Sequence, residues 1–276
     1  MHDTALPAIE APLNFMVRGH EKPQIFMSVD QAEPNRRTGE FETIELAIAD
    51  ARALAEPPTL DGHGFALVND ATAVTDFYDE NAIPDVYYPE IVRLLKKETG
   101  ASDVHIFDHT LRVQDEAKRR EHGTRLPVPM VHNDYTERSG PARVRDLLEP
   151  AKAEKFLAHR FAMVNVWRSF GASAERLPLA VADGRTIRTE DFIAVDIVYH
   201  DRTGEIFYNA HCDDQRWYYF SNMHRDEALL LKCYDTAEDG RTRYTAHTGF
   251  ENSAAPADTP PRESIEVRTL LSFGPD

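Results

Sequence analysis

The sequence contains little cysteine, no long apolar run and a deficit of positive charge. Its two cysteines, Cys212 and Cys233, are too few and too far apart for a disulfide framework or a cysteine-rich zinc site, which favours a reducing compartment. No run of about 18 apolar residues occurs, and the first residues lack the basic stretch and apolar core of a signal peptide. We therefore expect a cytoplasmic protein without a membrane span.

Acidic residues outnumber basic ones by 47 to 31, which gives a formal net charge of -16. At that charge the chain repels phosphate backbones and anionic lipid at long range, so neither nucleic acid nor a membrane is an expected partner. A chain of 276 residues with 42% hydrophobic content can bury a large core, and we expect a single domain over residues 1–276. These patterns leave the oligomeric state open.

Short segments with alternating polar and apolar residues dominate the second half of the chain. Residues 126–276 contain nine short predicted strands, from "PMVHND" to "ESIEVRTLLSF", most of which show this alternation and which are separated by turn signals such as "ADGR" and "DRTG". This pattern predicts a mainly β fold with flanking helices, built around a double-sheet jelly roll or barrel. One helical insert is predicted at about residues 140–160.

The first 125 residues alternate short strands with helices, and we expect them to form an α/β elaboration outside that core. "TIELAIADARALAE", residues 43–56, has apolar residues at helical spacing and is predicted to be a helix. "DVYYPEIVRLLKKETGA" is predicted to be an amphipathic helix that ends at Gly100. "DVHIFDHTLRVQDE", residues 103–116, is predicted to be a strand.

The segment "VPMVHNDYT" places His132 and Asp134 two positions apart near the end of a predicted strand. Side chains at i and i+2 of a strand project from the same face, so both would point inward while Asn133 points away. An imidazole and a carboxylate on one face supply two of the three ligands of the triad that holds non-haem Fe(II). Because His-x-Asp also arises by chance, the assignment depends on a third ligand.

Two histidines on later predicted strands are candidates for that ligand, His211 in "YNAHCDD" and His247 in "RYTAHTGF". We favour His247, because it is followed by a final strand that opens with Arg262 and Ser264. Arg262 and Ser264 lie about 6.5 Å apart along one strand face, so a guanidinium and a hydroxyl can bind one carboxylate together.

These residues and several longer segments carry a family resemblance. The chain resembles the Fe(II)/2-oxoglutarate-dependent oxygenases in His132, Asp134, His247, Arg262 and Ser264, and in "FDHTLR", "VHNDYT", "NVWR", "RWYYFSNM", "DEALLLKCYD" and "PRESIEVR". Among these enzymes it is similar to bacterial and fungal secondary-metabolite hydroxylase/desaturases, such as the hydroxylase of cephamycin methoxylation and the fungal gibberellin desaturase. The likeness runs from about residue 60 to the end, with Ser169 where the motif has proline after "NVWR".

The resemblance implies a double-stranded β-helix, cupin-like core that uses Fe(II), 2-oxoglutarate and O2. It implies that His132, Asp134 and His247 bind the metal at the catalytic centre, and that Arg262 with Ser264 binds the distal carboxylate of 2-oxoglutarate. The co-substrate would yield succinate and CO2 while a small secondary metabolite is hydroxylated or desaturated. The identity of this metabolite stays open, as does the choice among hydroxylation, desaturation and cyclisation.

Several other residues are candidates for the co-substrate site or the substrate pocket. Arg268 either reaches the metal-proximal end of 2-oxoglutarate or forms a salt bridge, and the sequence leaves open which of Arg262, Arg268 and Arg168 contacts which end. Asn165 is expected to hydrogen-bond the co-substrate. The remaining pocket candidates are Tyr135, Trp167, Arg168, Tyr218 and Tyr219, of which Trp167 also suits core packing.

Two other functions fit parts of the pattern. A cupin-like dioxygenase or isomerase would use the same metal ligands without 2-oxoglutarate, but it would have little reason to keep Arg262 and Ser264 together. A catalytically silent barrel that binds a ligand or a partner would have no need for the intact set of His132, Asp134 and His247.

Overall fold

The computed structural model describes residues 6–27, 35–171 and 174–274. Parts of the predicted N-terminal elaboration, residues 1–5 and 28–34, lie outside the described residues. The described α-helices are α1 (Tyr88–Thr99), α2 (Glu116–His122), α3 (Ser139–Leu147) and α4 (Pro150–Leu157). The described strands are β1 (Ala8–Met16), β2 (Gln24–Phe26), β3 (Arg36–Arg37), β4 (Phe41–Asp50), β5 (Phe65–Asn69), β6 (Asp103–Val113), β7 (His132–Asn133), β8 (Phe161–Ser169), β9 (Leu179–Ala182), β10 (Phe192–Val198), β11 (Thr203–Asn209), β12 (Trp217–Tyr219), β13 (Glu227–Asp235), β14 (His247–Gly249) and β15 (Glu263–Ser272).

The strands form two sheets. The larger has the order β1-β4-β12-β9-β14-β7-β11-β10-β2-β3, and the smaller has the order β5-β13-β8-β15-β6. Within the described residues, β7 to β15 correspond to the nine segments that the alternating pattern predicts. None of the described helices is long and apolar enough to cross a membrane.

Strands from the first 125 residues complete both sheets. β1 and β4 belong to the larger sheet, whereas β5 and β6 belong to the smaller one. The helix predicted over residues 43–56 is wrong, because most of this segment is strand β4. Its residues Ile44, Leu46 and Ile48 alternate with more exposed neighbours, and β4 pairs with β1 along its whole length. This long ladder outweighs the helical preference of the alanines.

The smaller sheet is buried on both faces. Every residue of β8 and β13 is buried, as expected for strands that are covered on two sides. One face packs against the larger sheet, and α1 covers the other with Ile91, Leu94 and Leu95. As predicted, α1 ends at Gly100, which takes the left-handed conformation with φ of 72°.

The helical insert predicted at about residues 140–160 consists of two helices. α3 ends at Leu147, and α4 begins at Pro150, where the missing backbone N–H of proline costs no helical hydrogen bond. α3 follows β7 after a short turn and therefore lies close to His132 and Asp134 in the chain.

Candidate metal centre

The structure brings His132, Asp134 and His247 together between the two sheets. β7 and β14 are neighbours in the larger sheet, and their pairing sets His132 directly opposite His247. Asp134 follows β7, and the potential ligand atoms of the three residues all lie within 4.8 Å of one another. His132 Nε2 is 3.7 Å from Asp134 Oδ1. A single ion could therefore contact all three side chains.

Hydrogen bonds to the backbone fix the tautomers of both histidines. His132 Nδ1 lies 2.7 Å from the carbonyl oxygen of Met130, and His247 Nδ1 lies 2.9 Å from that of Thr245. Because a carbonyl oxygen only accepts, each Nδ1 carries the proton and each Nε2 presents a lone pair. Burial, with the nearby His247, lowers the pKa of His132 to about 4, so this imidazole is neutral at pH 7, as a metal ligand must be.

Asp134 is held as a carboxylate by two donors from the smaller sheet. Its Oδ2 accepts hydrogen bonds from Asn165 Nδ2 at 2.7 Å and from Arg268 Nε at 3.1 Å. Burial alone would raise the pKa of Asp134, but the charge of Arg268, together with the hydrogen bond from Asn165, outweighs it and holds this pKa below its usual range. Oδ1, the atom nearer His132, stays available to a metal.

Arg268 connects this carboxylate to two others. Its Nη1 donates to Asp108 Oδ2 and to Thr110 Oγ1, both at 3.0 Å, and its Nη2 donates to Glu266 Oε2 at 2.7 Å. All three guanidinium nitrogens are thus engaged by protein side chains. The expected contact of Arg268 with the co-substrate stays a prediction, whereas its contact with Asp134 is observed.

The donor set suits Fe(II). Two imidazole nitrogens and one carboxylate oxygen are the ligands that non-haem Fe(II) takes on one face, and a site for a softer metal would include thiolates. The Arg268 and Asn165 contacts orient the carboxylate, and the backbone carbonyls orient the imidazoles. The residues present therefore fit the metal that the resemblance implies.

Arg262 is a buried cation beside this centre. It is only 2% exposed; its Nε donates to Ser264 Oγ at 3.0 Å, and its Nη1 donates to the carbonyl of Leu177 at 3.1 Å. Its guanidinium lies 4.9 Å from the ring centre of Trp167. Among the described residues, no carboxylate oxygen lies within 4.0 Å of it, and burial lowers the pKa of Arg262 to about 9. A buried cation without a counter-ion is costly, which indicates an anionic ligand.

Two cavities adjoin the metal-binding residues. The small cavity has a volume of about 20 Å³ and adjoins the large one at Arg112. It is lined by His132, His247, Trp167, Arg262, Glu266 and Arg112, among others. The large cavity has a volume of about 1070 Å³ and includes His132, Asp134 and Tyr135 in its wall. Of the residues that the sequence suggests for the substrate pocket, Tyr135 lines the large cavity and Trp167 lines the small one.

The sequence did not single out Arg112 and Glu266. Arg112 lines both cavities, and Glu266 binds Arg268 and also accepts a hydrogen bond from Asn165 at 3.0 Å. Glu266 lies between Ser264 and Arg268 on the same face of β15, and Arg112 pairs with Ser264 on the neighbouring strand β6. The period of two along the final strand would have identified Glu266.

Three pocket candidates from the sequence lie elsewhere. Tyr218 packs in the core between the sheets, and Tyr219 packs against Phe250. Arg168 points to the opposite face of β8 from Trp167, where it is completely buried. Neither cavity is lined by Arg168, Tyr218 or Tyr219, so the structure does not bring these three residues to the proposed substrate pocket. Alternation along β8 excludes Arg168 once Trp167 faces inward.

His211, the rival third ligand, also lies apart from the metal-binding residues. Its ring contacts the edge of Phe15, with 5.2 Å between ring centres, and it is not one of the clustered ligands. Asp108 and His109 have different partners, Arg268 and Tyr88 respectively, because adjacent residues of a strand project from opposite faces.

Arg168 should matter for stability and not for the metal. It donates to Tyr87 Oη, to the carbonyls of Asp70 and Arg225, and to the Asp70 carboxylate. Arg168→Ala would remove the guanidinium donor from Tyr87 and the two carbonyls and would leave the Asp70 carboxylate with only the contact to Arg93, so we expect the free energy of unfolding to fall by about 3 kcal/mol. Urea denaturation measures this loss. Fe(II) affinity, measured below the melting temperature, should stay within about twofold of wild type; a tenfold drop would return Arg168 to the active site.

Comparison with known proteins gives a consistent family. The family described as "YDMC: Oxidoreductase/YMDC permease-like domain" matches residues 13–272. The chain is 34% identical over 255 residues to the hydroxylase/desaturase efuI of Hormonema carpetanum, with 84% of each chain covered. It is 32% identical over 235 residues to the Fe(II)/2-oxoglutarate-dependent dioxygenase nvfI of Aspergillus novofumigatus, with 82% of each chain covered.

A solved structure shares the whole fold. The iron and alpha-ketoglutarate-dependent endoperoxidase NvfI superposes with a TM-score of 0.86 at 28% identity, over 97% of this chain and 99% of that one. This likeness confirms the jelly-roll fold that the alternating segments predict.

Proposed function

The chain belongs to the Fe(II)/2-oxoglutarate-dependent hydroxylase/desaturase family, and from this premise we propose which residues carry its reaction. It is a dioxygenase that needs Fe(II), 2-oxoglutarate and O2, as the sequence motifs predict. The reaction that we propose is hydroxylation or desaturation of a small secondary metabolite, coupled to release of succinate and CO2. The observation that supports it best is the uncompensated Arg262 beside the clustered His132, Asp134 and His247.

His132, Asp134 and His247 are the proposed metal ligands. These three side chains would hold Fe(II), which when bound would supply the oxidising power for attack on an unactivated C–H bond. The chain itself provides two Nε2 lone pairs, fixed by the carbonyls of Met130 and Thr245. Arg268 and Asn165 hold the Asp134 carboxylate charged and oriented.

Arg262 and Ser264 are the proposed anchor for the distal carboxylate of 2-oxoglutarate. Their side chains already contact each other, so little side-chain freedom is lost when a carboxylate binds. Trp167 covers one face of the guanidinium and excludes water from it. Arg112 lines the same small cavity and adds a second positive charge there.

The large cavity is the proposed substrate pocket. It opens onto His132 and Asp134, so a molecule bound in it has access to the metal, and Tyr135 forms part of its wall. Its volume of about 1070 Å³ is at the upper end of ligand pockets and suits a multi-ring or long-chain metabolite.

We also propose that the enzyme acts as one domain in the cytoplasm. Both sheets combine strands from either side of residue 125, so neither half has a complete sheet of its own. The two cysteines are free, which fits a reducing compartment. The net charge of -16 supports a small-molecule substrate over nucleic acid or an anionic membrane.

Oxygen consumption and succinate formation test the proposed function. Purified protein supplied with Fe(II), ascorbate and 2-oxoglutarate should form succinate slowly on its own, and faster when a true substrate is added from a panel of secondary metabolites. His132→Ala should abolish this activity. O2 consumption on a metabolite without succinate would instead support the cupin-like alternative that does not use 2-oxoglutarate.

A further inference from the structure

One face of helix α3 forms part of the wall of the large cavity. Ser139, Ala142, Arg143 and Asp146 all line it, and their spacing of three and four residues places them on one helix face. Arg145 lies outside that face; it is exposed and donates to Glu154 at 3.0 Å. Arg143 is therefore the arginine of α3 that faces the cavity, and Arg145 is a matched control.

A β-bulge places an aromatic ring under Arg143. Along β6, Asp108 pairs with Arg268 and Ile106 pairs with Thr269, so Phe107 is an extra residue without a partner on β15. Bulges change the direction of a side chain, and here Phe107 lines the large cavity together with Asp108. The Arg143 guanidinium lies 5.1 Å from the centre of the Phe107 ring. One face of the guanidinium is thus held while its N–H groups stay unused.

Arg143 is half-buried and has no anionic partner. The other cavity arginines without an ion pair are either exposed, as are Arg37, Arg125 and Arg202, or hydrogen-bonded to a carbonyl, as is Arg112. Arg268 and Arg138 line the same cavity, but Arg268 binds Asp108 and Asp134, and Arg138 binds Glu205. Within the described part of the chain, Arg143 has neither a hydrogen bond nor a carboxylate within 4.0 Å of its side chain. A half-buried guanidinium with free donors is suited to a carboxylate from a ligand.

The charge of the cavity points the same way. Its described lining contains seven arginines and five acidic residues, although the chain as a whole carries a net charge of -16. Asp108 and Asp134 pair with Arg268, and Glu205 pairs with Arg138, which leaves five arginines against two acids in the described lining. A positive cavity in an acidic protein attracts organic anions in preference to cations.

We propose that the organic substrate is an amphipathic carboxylic acid and that Arg143 binds its carboxylate. This inference rests on the proposed function, because it assigns the large cavity to the substrate. The apolar body of the acid would lie against Pro127, Pro129, Ile206 and Tyr208, which line the same cavity. The proposed anchor of 2-oxoglutarate is Arg262, and Arg143 does not line the small cavity beside it.

A matched pair of fluorescent probes tests the role of Arg143 without knowledge of the natural substrate. Pyrenebutyrate has a carboxylate and an apolar body, and its methyl ester lacks the charge. Both are titrated into the anaerobic complex of the enzyme with Fe(II) and 2-oxoglutarate. Arg143→Gln should weaken pyrenebutyrate by about tenfold or more and change the ester by less than about twofold, because only the charged hydrogen bond is lost. Arg143→Lys should lose less, and Arg145→Gln should change neither probe.

Further variants and readouts make the test decisive. Ala142→Trp fills the cavity from the same helix face and should weaken both probes; unchanged binding would place the probes elsewhere and overturn the proposal. Equal loss of both probes in Arg143→Gln, or loss of neither, would also overturn it. A raised half-saturation for 2-oxoglutarate in Arg143→Gln would assign Arg143 to the co-substrate and contradict the inference. Failure of the wild type to form succinate would count against the proposed function, and the probe titrations would not depend on it.

Discussion

Asp134→Ala should abolish turnover and weaken Fe(II) binding by more than about 100-fold. Removing a residue that only hydrogen-bonds a metal ligand typically lowers metal affinity by about 10- to 100-fold, and removing the ligand itself should lower it more. Asp134 is the anionic member of the clustered ligands. Without it two neutral imidazoles remain. In the wild type Arg268 donates to Asp134 Oδ2 at 3.1 Å, and in the variant its positive charge would stay next to the metal position without this carboxylate. Equilibrium titration of the purified apo-protein with Fe(II) under anaerobic conditions measures the affinity, and succinate formation measures turnover.

Two histidine variants decide whether the ligand set is correct. His247→Ala should lose Fe(II) binding, since its Nε2 is one of the three clustered donors. His211→Ala is the matched control, because that histidine is also partly buried but contacts Phe15 outside the cluster. The ligand assignment is wrong if His211→Ala destroys iron binding while His247→Ala leaves it intact. Circular dichroism of each variant separates loss of the metal from loss of the fold.

Much of the fold follows from local alternation in the sequence. β7 to β15 lie in nine short segments, most of which alternate polar and apolar residues, and turn signals separate most of them. The prediction of a helix over residues 43–56 was wrong because the spacing of Ile44, Leu46 and Ile48 fits a strand as well as a helix. Pairing with β1, whose residues lie 25 to 41 positions upstream of their partners, decided between the two, and local sequence does not contain that information.

The site was predictable where a strand gives the side chains a fixed period. Because residues two apart in a strand share a face, the sequence places His132 with Asp134, and Arg262 with Ser264. Alternation alone left open which face of β8 points toward the metal-binding residues. In the structure Asn165 and Trp167 lie on that face, and Arg168 lies on the opposite one. The position of Phe107 could not be predicted, since the bulge at that residue breaks the period of two.

Arg262 should be the residue on which binding of 2-oxoglutarate depends most. A charge-assisted pair between its guanidinium and the distal carboxylate would neutralise a buried cation that has no carboxylate partner among the described residues. Losing this contact should cost about 2 to 5 kcal/mol, part of which is the penalty for leaving the carboxylate unpaired. Arg262→Ala should therefore raise the half-saturation for 2-oxoglutarate by a factor of about 30 or more.

Graded substitutions show whether geometry or charge alone carries this effect. Arg262→Lys should recover only part of the loss, because an ammonium cannot reproduce the planar fork of donors. Ser264→Ala should cost about 1 kcal/mol, since a neutral donor is removed and water can replace it. Fe(II) affinity should stay near the wild-type value in all three variants, because neither residue is among the clustered ligands.

Succinate formation as a function of 2-oxoglutarate concentration distinguishes the possible anchors. Unchanged half-saturation in Arg262→Ala would move the distal carboxylate to Arg112, which lines the same small cavity, and Arg112→Gln would then show the large effect. Arg268 is a poorer candidate, because its donors are occupied by Asp108, Thr110, Asp134 and Glu266. If neither Arg262→Ala nor Arg112→Gln raises the half-saturation, the small cavity does not hold the co-substrate, and the proposed mode of 2-oxoglutarate binding is wrong.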